Sequence, residues 1–241
     1  YWEGLVPQGS LVMPTGPPKS GKTWVALALA VSMALAKDEL LGHKVPVPGK
    51  TLAFSPEGGL GSLSRRTIGL ARGMGAEDPS LFRNRFDSWQ GTLDVTDDSD
   101  RLRLCRHVAL FQPSLLILDT LDKLAPGLDE NDKKSVAIVF EAIREVMRYR
   151  PEMSVLLVHH SSAAGKWLRG STAIDARRDT RLGVRSRPVP ESEHNGRRYD
   201  GNERSLHADQ RDAYSDPRPL AFRLWFEGPL NNYTACGLTR I

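Results

Sequence analysis

Short apolar runs bounded by Gly and Pro alternate along the chain with longer stretches of helical periodicity, a pattern that predicts β-α-β units feeding a parallel sheet. Strands are predicted at Ser10 to Met13, Thr51 to Ser55, Leu115 to Leu118 and Ser154 to Val158. The last two are apolar on both faces, as strands buried in the middle of a parallel sheet must be. Helices are predicted at Thr23 to Ala36, Leu60 to Arg72, Asp98 to Phe111 and Lys134 to Tyr149. Gly42 to Lys50, with Pro46 and Pro48, reads as a connecting loop. Past Asp179 the pattern changes to alternating, Arg- and Pro-rich segments, Arg181 to Arg187, Arg197 to Ala208 and Leu220 to Glu227, which predict an antiparallel meander extending the sheet. The expected architecture is therefore α/β, with a core over 1–180 and a C-terminal β-meander over 181–241 in the same domain. In an open sheet of this kind ligands sit at the carboxyl ends of the strands.

The segment between the first predicted strand and the Ala-rich first helix fits the phosphate-binding pattern G-x-x-x-x-G-K-[ST]. Its residues, Gly16, Pro17, Pro18, Lys19, Ser20, Gly21, Lys22 and Thr23, are candidate nucleotide contacts. The glycines let successive backbone N–H groups turn inward around phosphates, and the following helix adds its positive N-terminal end. Lys22 is expected to reach the β and γ oxygens of ATP, and the Thr23 hydroxyl to ligate Mg²⁺. Trp24 follows directly and is included among the candidate contacts, although an aromatic there reads more readily as a core or interface anchor than as a base-stacking platform.

Leu115-Leu116-Ile117-Leu118-Asp119-Thr120 is an apolar strand ending in an acid, the form of an ATPase metal motif in which a carboxylate holds the Mg²⁺ water shell. Asp119 is the candidate metal residue. The strand from Thr51 runs directly into Glu57, placed to orient or deprotonate an attacking water, and Glu57 is the candidate base. Ser154 to Val158 leads into His159 and His160, whose side chains should point to opposite sides of the strand, so that one of them faces a nucleotide.

Composition narrows the setting. The chain has 241 residues, 40% apolar, enough for one large α/β domain. Its net charge of +4 and pI near 9.2 permit an anionic partner without demanding one. From Gly165 to Arg223 there are 13 Lys/Arg against 9 Asp/Glu, so the whole excess lies in the C-terminal third. Cys105 and Cys236 have no metal-ligand spacing, which fits a reducing cytoplasm. No apolar run is long enough to span a bilayer and no leader opens the chain, so a cytoplasmic protein without a membrane partner is expected. The abrupt start at Tyr1-Trp2-Glu3, without Met, reads as a domain excised from something longer.

Taken together, the phosphate loop, Phe54-Ser55-Pro56-Glu57-Gly58-Gly59, Leu118-Asp119-Thr120, Val158-His159-His160 and Arg169-Gly170-Ser171-Thr172 resemble the RecA-like P-loop ATPases of the RepA type, hexameric replicative helicases of plasmids and phages. The resemblance covers nearly the whole chain. Its phosphate loop is generic, whereas the strand-His-His-Ser followed by Arg-Gly-Ser is more specific. The likeness implies a RecA-like P-loop NTPase fold, a mostly parallel central sheet flanked by helices with a C-terminal antiparallel extension. It further implies that Lys22 and Thr23 bind phosphate and Mg²⁺, Glu57 activates water, Asp119 completes the metal site, and His159 takes the place of a γ-phosphate sensor. Ser161 to Arg169 matches the family's central-channel loop, so Lys166 and Arg169 are implied to meet single-stranded DNA, a sequence-independent and salt-sensitive contact.

His207-Ala208-Asp209-Gln210-Arg211-Asp212 resembles the Lys-x-Arg element whose Arg reaches a neighbouring subunit's γ-phosphate. Arg211 matches and Asp209 replaces the Lys, an acid that would repel a triphosphate. The trans-acting role then falls to Arg211 alone, or to Arg177 or Arg178, or trans activation is weak. The expected function is a Mg-ATP-dependent motor, a homo-oligomeric and hexameric ring translocating on single-stranded DNA. The alternative is an ATP-switched recombination mediator or loader without unwinding, which the acid at 209 favours.

Overall fold

A computed structural model describes residues 1–56, 59–78, 84–89, 91–160, 172–194, 196–210, 220–227 and 233–241. Strands β1 (Leu11–Gly16), β4 (Thr51–Phe54), β5 (Phe86–Ser88), β6 (Leu115–Asp119), β7 (Ser154–His160) and β8 (Thr180–Pro188) form the parallel part of one sheet. β9 (Ser192–His194), β10 (Arg197–Gln210), β11 (Leu220–Glu227) and β12 (Ala235–Arg240) add to it in antiparallel fashion. The strand order is β12-β11-β10-β8-β1-β7-β6-β4-β5, with β9 paired to β10. β2 (Glu39–Leu40) and β3 (His43–Lys44) make a separate small hairpin, whose second strand lies within the predicted connecting loop.

The sheet separates two cores with the period of two that strands impose. Leu115 and Ile117 of β6 face one core, and Leu116 and Leu118 face the other; Val12 and Leu11 of β1 divide the same way. Helix α1 (Lys22–Ala34) lies in the first core, and 11 of its 13 residues are buried. Its run of alanines allows this, because small side chains let a helix covered on all sides sit close to the strands. Helix α2 (Gly59–Gly73) packs beside it. On the opposite face lie α3 (Asp98–Phe111) and α5 (Lys133–Arg148), the latter burying Val136, Val139, Phe140, Ile143, Val146 and Met147 at helical spacing. Asp97 and Asp132 cap these two helices by accepting hydrogen bonds from the first-turn N–H groups, which is why both begin where they do. Short helices α4 (Leu121–Leu124) and α6 (Thr172–Asp175) follow β6 and precede β8.

Two expectations about the fold are corrected. β8 is not only the first strand of the antiparallel meander, because it also lies parallel to β1, Val12 opposite Thr180 and Thr15 opposite Gly183. β1 and β7 run on past Met13 and Val158 to Gly16 and His160 because they keep pairing with each other, Thr15 with His159 and Gly16 with His160, while β8 pairs with β1 as far as Thr15. The N-terminal aromatics are structural: the Trp2 ring is buried and its Nε1 donates to the Leu40 carbonyl at 3.1 Å, while the Tyr1 hydroxyl donates to the Glu152 carbonyl at 2.6 Å. Among the described residues no helix is long and apolar enough to cross a membrane.

Candidate nucleotide site

The carboxyl ends of β1, β4, β6 and β7 meet at one edge of the sheet, and the predicted phosphate loop bridges β1 to α1 there. Two glycines shape the loop. A Cβ on Gly16 would lie 2.1 Å from the Val184 carbonyl oxygen, so β8 passes too close for any side chain. Gly21 holds φ at 101° immediately before α1, a left-handed conformation that costs glycine least. Lys22 is 4% exposed, and its Nζ donates to the carbonyls of Gly16 at 3.0 Å and Pro17 at 2.8 Å. The ammonium therefore closes the loop on itself, inside the ring of backbone that would cradle phosphate. The buried Ser20 hydroxyl, in the middle of the loop, has no hydrogen-bond partner among the described residues.

At the end of β6, the Asp119 carboxylate is 1% exposed. Its Oδ2 accepts from the Thr23 hydroxyl at 2.8 Å and from the Ser55 hydroxyl at 3.1 Å. Ser55 was not singled out in the sequence; pairing of Phe54 with Leu118 brings the residue after β4 level with Asp119, and strand order is not written locally in the chain. The Asp119 carboxylate and the Thr23 hydroxyl are hard oxygen donors of the kind that suit Mg²⁺, and the Ser55 hydroxyl orients the carboxylate. Among the described residues there is no cluster of three His, Cys, Asp or Glu that could hold a metal.

The two histidines of β7 separate as strand alternation requires. His160 lines a cavity of about 270 Å³ together with Lys19, Lys22, Thr23 and Asp119. His159, the residue assigned to phosphate sensing, is 2% exposed and turned away, its Nδ1 3.9 Å from Glu130 Oε1. Of the pair it is His160 that faces the phosphate loop.

A second cavity of about 400 Å³ adjoins the first, the two sharing Trp24, Arg66, Asp200 and Phe226. Trp24 packs edge-on to Phe226 with ring centroids 5.6 Å apart, and Tyr233 lies 5.1 Å from Phe226. The Arg66 guanidinium sits 5.3 Å over the Trp24 ring. Burial pushes the Tyr233 phenol up to about 12, so it remains a neutral hydroxyl. Trp24 thus belongs to this aromatic pocket as well as to the edge of the phosphate cavity. The pocket was not legible in the sequence because its rings come from α1, β11 and the segment before β12.

Glu57, Lys166, Arg169 and Arg211 lie outside the described residues. Asp209 and Arg178 do not, and they correct one expectation. Arg178 is buried; its Nε donates to Asp175 Oδ1 at 2.7 Å, and its Nη1 and Nη2 donate to the Asp209 carbonyl and carboxylate at 3.1 and 3.2 Å. Arg181 Nη2 donates to the same carboxylate at 2.7 Å. Arg178 therefore ties α6 to β10 within its own chain and is not a finger held out to a neighbour. Asp209 is likewise neutralised by two arginines rather than presented to a triphosphate. Arg177 pairs with Glu141 at 3.7 Å.

A search of the curated proteins finds no match for the chain. A family model described as an AAA domain matches residues 1–166, more than half of the sequence and the whole stretch that carries the phosphate loop, Ser55, Asp119 and His160. The chain belongs to this AAA domain family, and the site at the carboxyl ends of its strands is that of a P-loop ATPase.

Proposed function

We propose that this chain is the motor domain of a ring-forming, Mg-ATP-hydrolysing translocase that acts on single-stranded DNA as a replicative helicase of a plasmid, phage or mobile element. The observation that carries the ATPase part is the convergence of the Thr23 and Ser55 hydroxyls on the buried Asp119 carboxylate, with Lys22, Thr23 and Asp119 lining one cavity. In this reading the loop N–H groups and the Lys22 ammonium hold the triphosphate, and Thr23 with Asp119 holds Mg²⁺. Mg²⁺ held there would supply charge neutralisation to the phosphates. Glu57, two residues beyond Ser55 in the chain, accepts a proton from the attacking water, and His160 donates a hydrogen bond toward the γ-phosphate. The aromatic pocket of Trp24, Phe226 and Tyr233 takes the base, with Arg66 lying over the indole.

The DNA part rests on the resemblance of Ser161 to Arg169 to a central-channel loop and on the positive excess of the C-terminal third. The switch or loader alternative drew support from an uncompensated acid at position 209. That support is weakened, because Asp209 is paired with Arg178 and Arg181. Steady-state hydrolysis with and without single-stranded DNA across a salt titration separates the two. A motor shows stimulation of about tenfold or more that fades as salt rises and is absent in Glu57→Gln; turnover indifferent to DNA would instead favour the switch.

A further inference from the structure

Asp200 stands where the two cavities join. Among the described residues it is the one acid in the wall the two cavities share, with Trp24, Arg66 and Phe226, and an acid beside a phosphate loop repels an anionic ligand unless a cation neutralises it. Arg204 does so with both prongs of its guanidinium, Nη1 donating to Oδ1 at 2.8 Å and Nη2 to Oδ2 at 2.6 Å.

The backbone is shaped for this pair. Residues four apart in a regular strand are separated by about 13 Å, too far for two such short bonds between side chains that stand up from the sheet. β10 is irregular at this point. Tyr199 faces Trp225 and Glu203 faces Arg223, so four residues of advance on β10 are matched by two on β11. The bulge draws Asp200 toward Arg204 and presents it to the cavity, a common use of bulges beside sites.

Both partners keep capacity to spare. A carboxylate has about four acceptor positions, of which Arg204 fills two. Arg204 is 4% exposed, yet its Nε–H has no hydrogen-bond partner among the described residues. That nitrogen lies over the phosphate loop, 2.8 Å from where a Cβ on Gly21 would stand. Between the phosphate cradle and the aromatic pocket, then, the protein offers acceptors on Asp200 and a buried donor on Arg204. In a nucleotide the part that lies between phosphates and base, and carries hydroxyl donors, is the sugar.

We propose that Asp200 and Arg204 form a sugar–phosphate clamp in which Asp200 accepts hydrogen bonds from ribose hydroxyls and Arg204 Nε donates to a phosphate oxygen. The clamp makes the site selective for ribonucleotides over their deoxy analogues. This rests on the reading of the site as an ATP site. A site built around a buried polar group rejects a ligand that leaves the group unmatched.

Isothermal titration with Mg-ATP, 2′-deoxy-ATP and 3′-deoxy-ATP tests it on the wild-type chain. At least one deoxy analogue should bind about tenfold or more weakly than ATP, as expected for losing a hydrogen bond to a charged acceptor. Asp200→Ala should weaken ATP until it matches that analogue, whose own affinity stays within about twofold of its wild-type value; a merely structural role would weaken all ligands together. Arg204→Gln should weaken all three triphosphates by about tenfold. Equal wild-type binding of ATP and both deoxy analogues overturns the clamp even if no variant folds, as does discrimination that survives in a folded Asp200→Ala. A folded Arg204→Gln that binds like wild type overturns the phosphate arm. If the folded wild type binds no nucleotide at all, the ATP reading itself fails and takes the clamp with it, whereas binding abolished by Lys22→Ala with no sugar discrimination removes the clamp alone.

Discussion

The Thr23 hydroxyl donates to the Asp119 carboxylate at 2.8 Å across 96 residues of sequence, joining the start of α1 to the end of β6. Ser55 donates to the same oxygen at 3.1 Å. A carboxylate held this way keeps a fixed orientation before any cation arrives, and the two hydroxyls are not equivalent. Thr23→Val should raise the Mg²⁺ concentration needed for half-maximal hydrolysis by about tenfold or more, because it removes a charge-assisted partner and a candidate metal ligand together. Ser55→Ala, which removes only orientation, should raise it by about fivefold or less. Mg²⁺ titrations of the two variants check the order.

Arg178 connects α6 to β10 through Asp175 and Asp209 and is almost wholly buried. Asp175 and Asp209 are about half exposed and Asp209 keeps Arg181, so truncating the buried guanidinium costs its hydrogen bonds and packing rather than stranding a buried charge, about 2 kcal/mol. For a chain of this size that is a fall in melting temperature of about 4–8 °C. Arg178→Ala should show that loss by calorimetry. Arg177→Ala, whose pairing with the exposed Glu141 is at the surface, should melt within about 2 °C of wild type.

A Cβ at Gly16 would stand 2.1 Å from the Val184 carbonyl oxygen, and that backbone is held by β8. Gly16→Ala should therefore displace the phosphate loop or part β1 from β8. The expected cost is about 1–3 kcal/mol of stability together with loss of nucleotide binding, read by denaturant unfolding and titration.

Much of this site is local in the sequence. The phosphate loop and the acid after Leu118 are contiguous motifs whose mechanism dictates their own strand–loop–helix setting, and β11 lies at its expected bounds of Leu220 and Glu227. What was not legible depends on neighbours far along the chain. Ser55 acquires its role only because β4 lies beside β6, the choice of His160 over His159 depends on where β7 ends, and Asp200 meets Arg204 only through a bulge against β11. β12 went unseen because Ala235-Cys236-Gly237-Leu238-Thr239-Arg240 has one β-branched residue, Thr239, and no aromatic, and it becomes a strand by pairing with β11.

Burial raises the Cys236 thiol from 9.0 to about 12 and the Tyr233 phenol from 10.0 to about 12. Both groups hold their protons in the folded state at pH values where the unfolded chain has released them. Their contribution to stability is therefore fully present below about pH 9 and is lost as the pH rises from there toward about 12. Unfolding in urea at pH 7, 9 and 10.5 should show stability falling only over the last interval, less steeply in Cys236→Ala. Cys105 is also raised by burial, so neither thiol of the native protein should react readily with a thiol reagent at pH 8.

The central claim is that Lys22, Thr23, Ser55 and Asp119 together form a Mg-ATP hydrolysing site. Its most direct test is the Mg²⁺-dependent turnover of ATP by the wild type beside Lys22→Ala and Asp119→Asn, each verified as folded by its melting curve. The account predicts measurable turnover in the wild type and a loss of about a hundredfold or more in each variant. Turnover that persists in both folded variants, or a wild type that hydrolyses ATP equally well without a divalent cation, would contradict it.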